Sequence, residues 1–329
     1  MVELTRLHAP IIALIGGRPV AFLDIPLHGN TGDLLILRGT LAFLKRNGVR
    51  IRQISSVYNY REIPDPETVI LFQGGGNFGD LYPGIQKFRE KIILAYPENR
   101  IIFLPQSVCY QSAEEQRKSA EILCAHADLH IFIRDRKSFC IAKEMARSVY
   151  LVPDMAHHLY PVRFRARAGR RPLHLIRTDK EATRWKTDGQ SSESTDWPTI
   201  NDRFEVKISF MRRIMKSAKR RKFSDLLNNA ISYSWVFLAG CIIARAIQIF
   251  RGASLVTTDR LHAFLLASLM DIETRVYDNS YGKLSSYIET WMPDSGFLTM
   301  AENPAAKNNT WRKSTPSRRK PIAIRRLKL

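Results

Sequence analysis

The first half of the chain alternates between short apolar runs and longer segments in which apolar residues recur with helical spacing. The runs are rich in Val, Ile, Leu and Phe, which is typical of strands buried on both faces. A loop and a segment of helical length follow each run, so the pattern predicts βαβ units and a parallel sheet. The predicted strands are residues 19–25, 49–55, 68–74, 100–107, 129–135 and 148–154, and the predicted helices are residues 33–47, 82–96, 112–126 and 136–147.

The periodicity breaks at residues 163–172, where charge, glycine and proline replace it, and a second set of runs begins just after. The pattern therefore predicts an N-terminal α/β domain over residues 1–165 and a C-terminal α/β domain over residues 172–303, facing each other across a cleft. Residues 304–329 are basic and contain proline, and they are predicted to form a disordered tail. In the second domain the predicted strands are residues 172–178, 253–259 and 274–279, and the predicted helices are residues 234–249 and 261–269.

Two loops rich in glycine and asparagine follow predicted strands. Residues 72–80 read FQGGGNFGD and residues 28–33 read HGNTGD. Glycine at the exit of a strand lets backbone amides approach a ligand closely, and ligands in open α/β sheets bind at the carboxyl ends of the strands. Neither loop has the spacing of a dinucleotide-binding or P-loop motif. The alternative is a tight turn with an aspartate helix cap, but two similar loops at equivalent places favour a binding surface.

A third motif, VTTDRLHAFLLASLM at residues 256–270, places Arg260 and His262 where a strand passes into a helix. The amino end of a helix and a guanidinium group together favour phosphate or carboxylate, and a histidine beside them can transfer a proton near neutral pH. The alternative is that Asp259 caps the helix and His262 is an ordinary residue of its first turn.

The chain is strongly basic. The chain has 329 residues, a hydrophobic share of 45% and a formal net charge of +20, which indicates an anionic partner such as nucleic acid, an acidic lipid surface or a phosphorylated substrate. The four cysteines lack metal-site spacing, so we expect reduced thiols and no metal.

No signal peptide is predicted, and the expected localisation is the cytoplasm. The apolar segment 231–250, interrupted by Arg245, is predicted to be a buried helix, with membrane insertion as the alternative.

Read in order, these motifs resemble those of the polysaccharide pyruvyl transferase family. The resemblance spans most of residues 25–282, and its most specific element is TDRLHA. The motifs that carry it are GNTGD (29–33), FQGGGNFGDLY (72–82), LPQS (104–107), RDRKS (134–138), VPDMA (152–156), RTDKE (177–181), TDRLHA (258–263) and DNSYGKLSSY (278–287).

The resemblance implies transfer of a pyruvyl group from phosphoenolpyruvate to a sugar of a polysaccharide precursor, as a ketal, in exopolysaccharide biosynthesis. It also implies two Rossmann-like domains of GT-B type around a central cleft, and phosphoenolpyruvate as co-substrate with no further cofactor. Arg260 and His262 fall on the family's RxH positions, where the arginine is expected to bind the donor and the histidine to act as acid and base. Arg134 and Ser138 fall on a second motif expected to hold the donor.

The remaining candidates are less closely defined. Because an attacking hydroxyl must lose a proton, a carboxylate is expected near the acceptor, and the motifs offer several that sequence cannot rank. For Arg134 and Arg177 the alternative is a surface ion pair after a strand. The candidates for base or acceptor binding are Asp33, Asp80, Asp154, Arg177 and Asp179, and the expected cleft-forming residues are Gly74, Gly75, Gly76, Asn77 and Asn30.

The basic run at residues 219–223 and the basic C-terminus are not required by the donor chemistry. Because the acceptor of such enzymes is usually lipid-linked, these segments are expected to contact an anionic membrane at the inner face of the plasma membrane. A solvated basic face is the alternative. Two competing functions are a GT-B glycosyltransferase that uses a nucleotide sugar and, less favoured for lack of a recognition motif, a nucleic-acid-binding protein.

Overall fold

The structure, a computed structural model, describes residues 2–63, 65–165, 171–178, 194–278, 282–293 and 298–300. These residues form two β-sheets covered by helices, and every pairing between the described strands is parallel. The predicted α/β class is therefore confirmed. The strands of the first sheet are β1 (Val20–Leu23), β2 (Ile51–Ile54), β3 (Val69–Phe72), β4 (Gly75–Phe78), β5 (Ile101–Val108), β6 (Leu129–Ile133) and β7 (Ser148–Leu151).

The second sheet has four strands in the order β11-β10-β9-β8. They are β8 (Arg171–Leu175), β9 (Ala253–Thr258), β10 (Thr274–Val276) and β11 (Leu298–Met300). The helices are α1 (Val2–Arg6), α2 (Ala9–Ile15), α3 (Thr31–Arg46), α4 (Pro83–Ala95), α5 (Ala113–Ala125), α6 (Arg136–Met145), α7 (Trp197–Asn201), α8 (Glu205–Arg220), α9 (Asp225–Phe250), α10 (Leu261–Leu269) and α11 (Lys283–Trp291), with short 3₁₀ helices at Met155–Leu159 and Asp202–Phe204.

The order of the first sheet is β2-β1-β3-β5-β6-β7, and the short β4 pairs with β5. Without β4 this is the flavodoxin-like order of a doubly wound parallel sheet. The direction of winding reverses between β1 and β3. Because ligands bind at such a switch point, outside the carboxyl ends of the strands, the residues after β1 and β3 are placed to line a site.

Burial explains why the predicted strands read as unbroken apolar runs. Along β1, Val20 and Phe22 belong to the core on one face of the sheet, while Ala21 and Leu23 belong to the core on the other face. Helices α2, α3 and the first 3₁₀ helix contribute to the first core, and α4, α5 and α6 contribute to the second. Both faces are covered, as expected for a parallel sheet.

The predicted domain division is less simple in the structure. The first core continues without interruption into the second sheet, through α10, β9 and α9. Helices α8 and α9, which the sequence assigned to residues 172–303, also reach the first sheet: the side-chain amide of Asn229 donates to the carbonyl of Arg52 and its oxygen accepts from the amide of Ile54. Two separate GT-B domains stay a prediction, and the tail at 304–329 lies outside the described residues.

The glycine segment is the main local difference from the prediction. Residues 75–78 form β4 rather than a free loop, with Gly75 opposite Gln106 and Phe78 opposite Val108. Strand β5 is eight residues long and β3 only four, so the carboxyl half of β5 has an open edge on which β4 pairs. Phe78 packs into the second core against Phe103.

Helix α9 also differs from the prediction. It begins at Asp225, nine residues before the predicted start, and its 26 residues are long and apolar enough to cross a membrane by length and composition. In its most apolar window, 39% of the residues are buried. The predicted buried helix is therefore only half correct, because one face packs inward and the other does not.

Candidate active site

A cleft of about 480 Å³ lies where the carboxyl ends of both sheets meet. Its walls come from the residues after β1, β3 and β6 in the first sheet and from those after β8 and β9 in the second. Three arginines line it, Arg134, Arg177 and Arg260, together with His262. Sequence motifs that are far apart in the chain are thus brought to one place, where the three arginines share the cavity lining with three carboxylates, those of Asp24, Asp33 and Glu205.

His262 lies in the first turn of α10, between groups of the first sheet. Its Nε2 is 3.3 Å from Oδ2 of Asp154 and 3.4 Å from Nη1 of Arg134. Nη1 of Arg134 donates to the same aspartate oxygen at 2.6 Å. One carboxylate therefore holds both the histidine and the arginine, and it fixes the orientation of the imidazole ring.

Asp154 is fully buried and is held from behind. Its backbone amide donates to the hydroxyl of Tyr287 at 2.9 Å, and its Oδ1 accepts from the amide of Ala156 at 2.8 Å. Burial would raise the pKa of Asp154, but the hydrogen bond and charge of His262 and the charge of Arg134 together hold that pKa below its ordinary value. The carboxylate is therefore ionised at neutral pH and can stabilise an imidazolium ion.

Arg134 is positioned by a second network. Its Nε donates to the hydroxyl of Ser107 at 2.9 Å, and that hydroxyl donates to Asp135 at 2.7 Å. Asp135 caps α6 by accepting from the amide and the hydroxyl of Ser138. Ser138 therefore lies behind the arginine and does not line the cleft, so its predicted contact with the donor becomes an indirect one. The indole of Trp291 donates to the backbone carbonyl of Arg134 at 2.7 Å.

Arg260 immediately precedes α10 and has its own aspartate. Its Nε and Nη2 donate to the two oxygens of Asp196 at 2.5 and 2.7 Å, which is bidentate geometry. Asp196, the residue that precedes α7, also accepts from the amide and hydroxyl of Thr178. It therefore connects the start of α7 to the loop after β8. Arg177 donates its backbone amide to Asp259, and its side chain lines the cleft.

The glycine segment forms the opposite wall. Gly74, Gly76 and Asn77 line the cleft, and a Cβ on Gly76 would lie 3.2 Å from Nη2 of Arg134. Asn77 is held by Arg89, which is fully buried, through a 2.9 Å bond to its side-chain oxygen. Arg89 also pairs with Asp24, which follows β1.

The amino end of α3 completes this wall. Asn30 caps the helix by accepting from the amide of Gly32, and Asp33 in the first turn lies 3.5 Å from Nε2 of His28. A Cβ on Gly32 would lie 2.7 Å from Nδ1 of His262, so only glycine lets the helix approach the histidine this closely.

Several predicted residues lie elsewhere. Both oxygens of Asp80 accept from the amide of Gln111 and one also accepts from Ser112, so Asp80 fixes a loop outside the cleft lining. Gly75 adopts a φ of 136° in β4 but does not line the cleft, and Asp179 lies outside the described residues. In the described part of the chain, no group of three or more His, Cys, Asp or Glu side chains could hold a metal ion.

Sequence reasoning missed the residues that support the arginines. Asp196 had a local signal, because an aspartate before Trp-Pro is typical of a helix start. Tyr287 is the last residue of the DNSYGKLSSY motif, but the motif did not indicate its contact with Asp154. Arg89 had no signal, since it lies within α4 and meets its partners only through the tertiary fold.

Comparison with known proteins identifies the family of the chain. Residues 30–281 match the model of the family described as polysaccharide pyruvyl transferase, and the chain belongs to that family. It is 38% identical over 296 residues to "Putative pyruvyl transferase EpsO" of Bacillus subtilis (strain 168), covering 88% of this chain and 90% of that protein. It is 28% identical over 301 residues to "Pyruvyl transferase 1" of Schizosaccharomyces pombe, covering 84% and 70% respectively.

A solved structure supports the fold. A functionally uncharacterised protein of Klebsiella pneumoniae superposes with a TM-score of 0.56 at 18% identity, over 90% of this chain and 98% of that one. The chain is thus a transferase of the pyruvyl transferase family with an α/β fold.

Proposed function

We propose that the protein transfers a pyruvyl group from phosphoenolpyruvate to two hydroxyls of a saccharide, giving a ketal in a polysaccharide precursor. The observation that carries the proposal is the convergence of Arg134, Arg177 and Arg260 with the His262–Asp154 pair in one cleft. Phosphoenolpyruvate carries a phosphate and a carboxylate and needs a proton on its methylene carbon. A cleft with three guanidinium groups and one oriented histidine meets both needs.

In the proposed reaction the arginines hold the phosphate and carboxylate, and His262 donates a proton to the methylene carbon. An oxocarbenium-like centre develops at the neighbouring carbon, and a sugar hydroxyl attacks it as it loses its proton. Phosphate then leaves with its bonding electrons, and a second hydroxyl attacks the resulting cationic carbon and gives its proton to the now neutral His262, which closes the ketal. The imidazolium form of His262 is stabilised by the Asp154 carboxylate until the proton is transferred.

Among the predicted bases that the structure describes, Asp33, Asp80 and Asp154, the best placed is Asp33. It lines the cleft beside His28, whereas Asp154 is occupied by His262 and Arg134 and Asp80 is occupied by backbone amides. We therefore assign removal of the acceptor's proton to Asp33 within this proposal.

The decisive test replaces the acid while keeping the arginines. His262→Asn keeps a polar side chain next to Asp154 but cannot protonate carbon, so we expect release of phosphate from phosphoenolpyruvate in the presence of acceptor to fall by about 10² to 10⁴. Phosphoenolpyruvate should still raise the melting temperature of this variant, because a ligand that binds only the folded state stabilises it. Full activity of the variant would remove His262 as the acid.

The same melting assay separates the glycosyltransferase alternative. Phosphoenolpyruvate and a UDP-sugar are compared on the native protein at equal concentration. Stabilisation by the UDP-sugar alone would contradict the proposal, and stabilisation by phosphoenolpyruvate alone would support it. Mass spectrometry of the product made from lipid-linked saccharides then identifies the acceptor and distinguishes a ketal from an enol ether.

A further inference from the structure

Helix α9 has an apolar face that no described residue covers. Its inward face is buried, and Trp235, Ala239 and Ala246 belong to the first core. On the opposite side, residues 226, 230, 233, 237, 241, 244 and 248 recur at intervals of three and four, which places them on one stripe of a helix. These residues are Leu, Ala, Tyr, Phe, Cys, Ala and Gln, so the outward stripe carries no charge over six turns.

The large side chains of this stripe are in contact with solvent. Leu226 is 83% exposed, Phe237 is 75% exposed and Tyr233 is 46% exposed. An ordinary surface helix carries polar residues opposite its buried face, and a contiguous apolar patch marks an interaction site.

The inward face fixes α9 to the rest of the protein. The indole of Trp235 donates to the carbonyl of Pro26, and Asn228 and Ser232 both accept from the side-chain amide of Asn59. A helix that crossed a bilayer would lose these buried hydrogen bonds, each of which would then leave an unpaired polar group. The outward stripe of α9 is therefore expected to contact another surface while the inward face of the helix stays packed on the rest of the protein.

Helix α8 and the turn before α9 add positive charge beside the stripe. Val206, Phe210, Arg213 and Arg220 lie on the outward side of α8, because they recur at intervals of three, four and seven. Val206 and Phe210 are 79% and 55% exposed. The exposed basic residues of α8 and the turn are Lys207, Arg213, Lys216, Lys219, Arg220, Arg221 and Lys222.

We propose that the outer surface of the α8–α9 hairpin, residues 205–250, binds the surface of an anionic lipid bilayer. Exposed Phe, Leu, Val and Tyr side chains would enter the interfacial region, and the lysines and arginines would contact acidic headgroups. A second copy of the chain is the weaker candidate, since a two-fold contact through this face would bring two strongly basic hairpins together.

The inner side of the same hairpin lies at the cleft. Glu205, the first residue of α8, lines the cavity, as does Tyr58, whose ring lies under Arg212 and Lys216. Binding of the hairpin to a leaflet therefore places the cleft next to the membrane. This consequence rests on the proposed function, whereas the lipid-binding surface itself does not depend on the reaction.

The test is flotation of the full-length protein with vesicles of phosphatidylcholine alone or with one third phosphatidylglycerol. We expect binding only to the anionic vesicles, weakened by salt. The variant Leu226→Ser with Phe237→Ser, and separately Arg213→Gln with Arg220→Gln, should each reduce the bound fraction at least about tenfold. Leu94→Ser is the matched control, because Leu94 is 64% exposed on α4, which packs on the other face of the first sheet.

Three results would overturn the proposal. If the wild-type protein does not float with anionic vesicles, the lipid-binding surface does not exist. If the serine variants float as well as the wild type, another segment of the chain binds the vesicles. A dimer in sedimentation that the serine variants convert to monomer, without any vesicle binding, would assign the stripe to a second copy. Phosphate release with a water-soluble acceptor should stay unchanged in the serine variants, so failure of the membrane proposal and failure of the proposed reaction can be told apart.

Discussion

Two buried arginine–aspartate pairs face the same cleft but are built differently. Arg260 takes both oxygens of Asp196, and this aspartate has no contact with the histidine in the described structure. Arg134 shares one oxygen of Asp154 with His262. The first pair can only fix the position of a guanidinium group, whereas the second links a guanidinium group to the group proposed to move a proton. Two pairs of the same residue types in one cleft therefore differ in what their aspartates contact.

Replacing the aspartate of each pair by asparagine removes its charge and keeps its shape, and these two variants should differ most strongly in their kinetics. Asp154→Asn should lower kcat by about 10³, because it leaves His262 without the carboxylate that orients it and stabilises its protonated form. Asp196→Asn should mainly raise KM for phosphoenolpyruvate, by about tenfold, since it weakens one charge-assisted clamp. Steady-state phosphate release as a function of phosphoenolpyruvate concentration measures both. Equal effects of the two variants on kcat and KM would show that the pairs do not differ in role.

A third buried pair joins Asp24, which lines the cleft, to Arg89, which lies behind the cleft wall. Arg89 is fully buried and holds Gln73 and Asn77 as well as Asp24, so its role is to fix the wall. Arg89→Met leaves the Asp24 carboxylate buried without its charged partner, with only the amide of Gln73 still donating to it, and should cost about 3 to 5 kcal/mol of unfolding free energy. The double variant Arg89→Met with Asp24→Asn should recover part of that loss. Urea unfolding measures both, and an undestabilised single variant would contradict the structural role.

The sequence predicted the elements and the cleft better than the contacts inside it. The runs that became β1 and β3 were visible because they are apolar over their whole length, those that became β5, β6, β7 and β9 were visible from their Val, Ile, Leu and Phe residues, and TDRLHA located Arg260 and His262. The pairing of β4 with β5 was not visible, since it depends on the different lengths of β3 and β5. Asp154 was one of several equivalent carboxylates, and only the fold shows which one reaches His262.

Helix α3 approaches His262 closely at Gly32, whereas Arg260 has no such neighbour among the described glycines. Gly32→Ala would place a Cβ 2.7 Å from Nδ1 and 2.8 Å from the Cβ of His262, so the ring must move away from Asp154. Misplacement of a reacting group on this scale should lower kcat by about 10². Gly84→Ala is the control, because a Cβ there meets nothing within 4 Å. Unchanged kcat for Gly32→Ala, measured by phosphate release, would contradict the geometry.

Buried histidines lie behind the Arg134 pair, and they predict how its stability depends on pH. Burial lowers the pKa of His157 to about 4, and burial together with His8 and Arg46 lowers that of His158 to about 3. Both are neutral in the folded protein at pH 6, whereas an unfolded histidine takes up a proton below about 6.5. Their contribution to stability is therefore complete above pH 6.5 and is lost as the pH falls toward 4.

The expected loss is about 1.4 kcal/mol per pH unit for each histidine within that window. His158→Phe keeps an aromatic ring beside Phe43 but cannot be protonated, so the unfolding free energy of this variant should fall less steeply than that of the wild type. Urea unfolding at several pH values between 7 and 4.5 measures the slope. If the two curves run parallel through this window, His158 is not the group whose protonation the folded state resists, and the pH dependence belongs to other residues near Asp154.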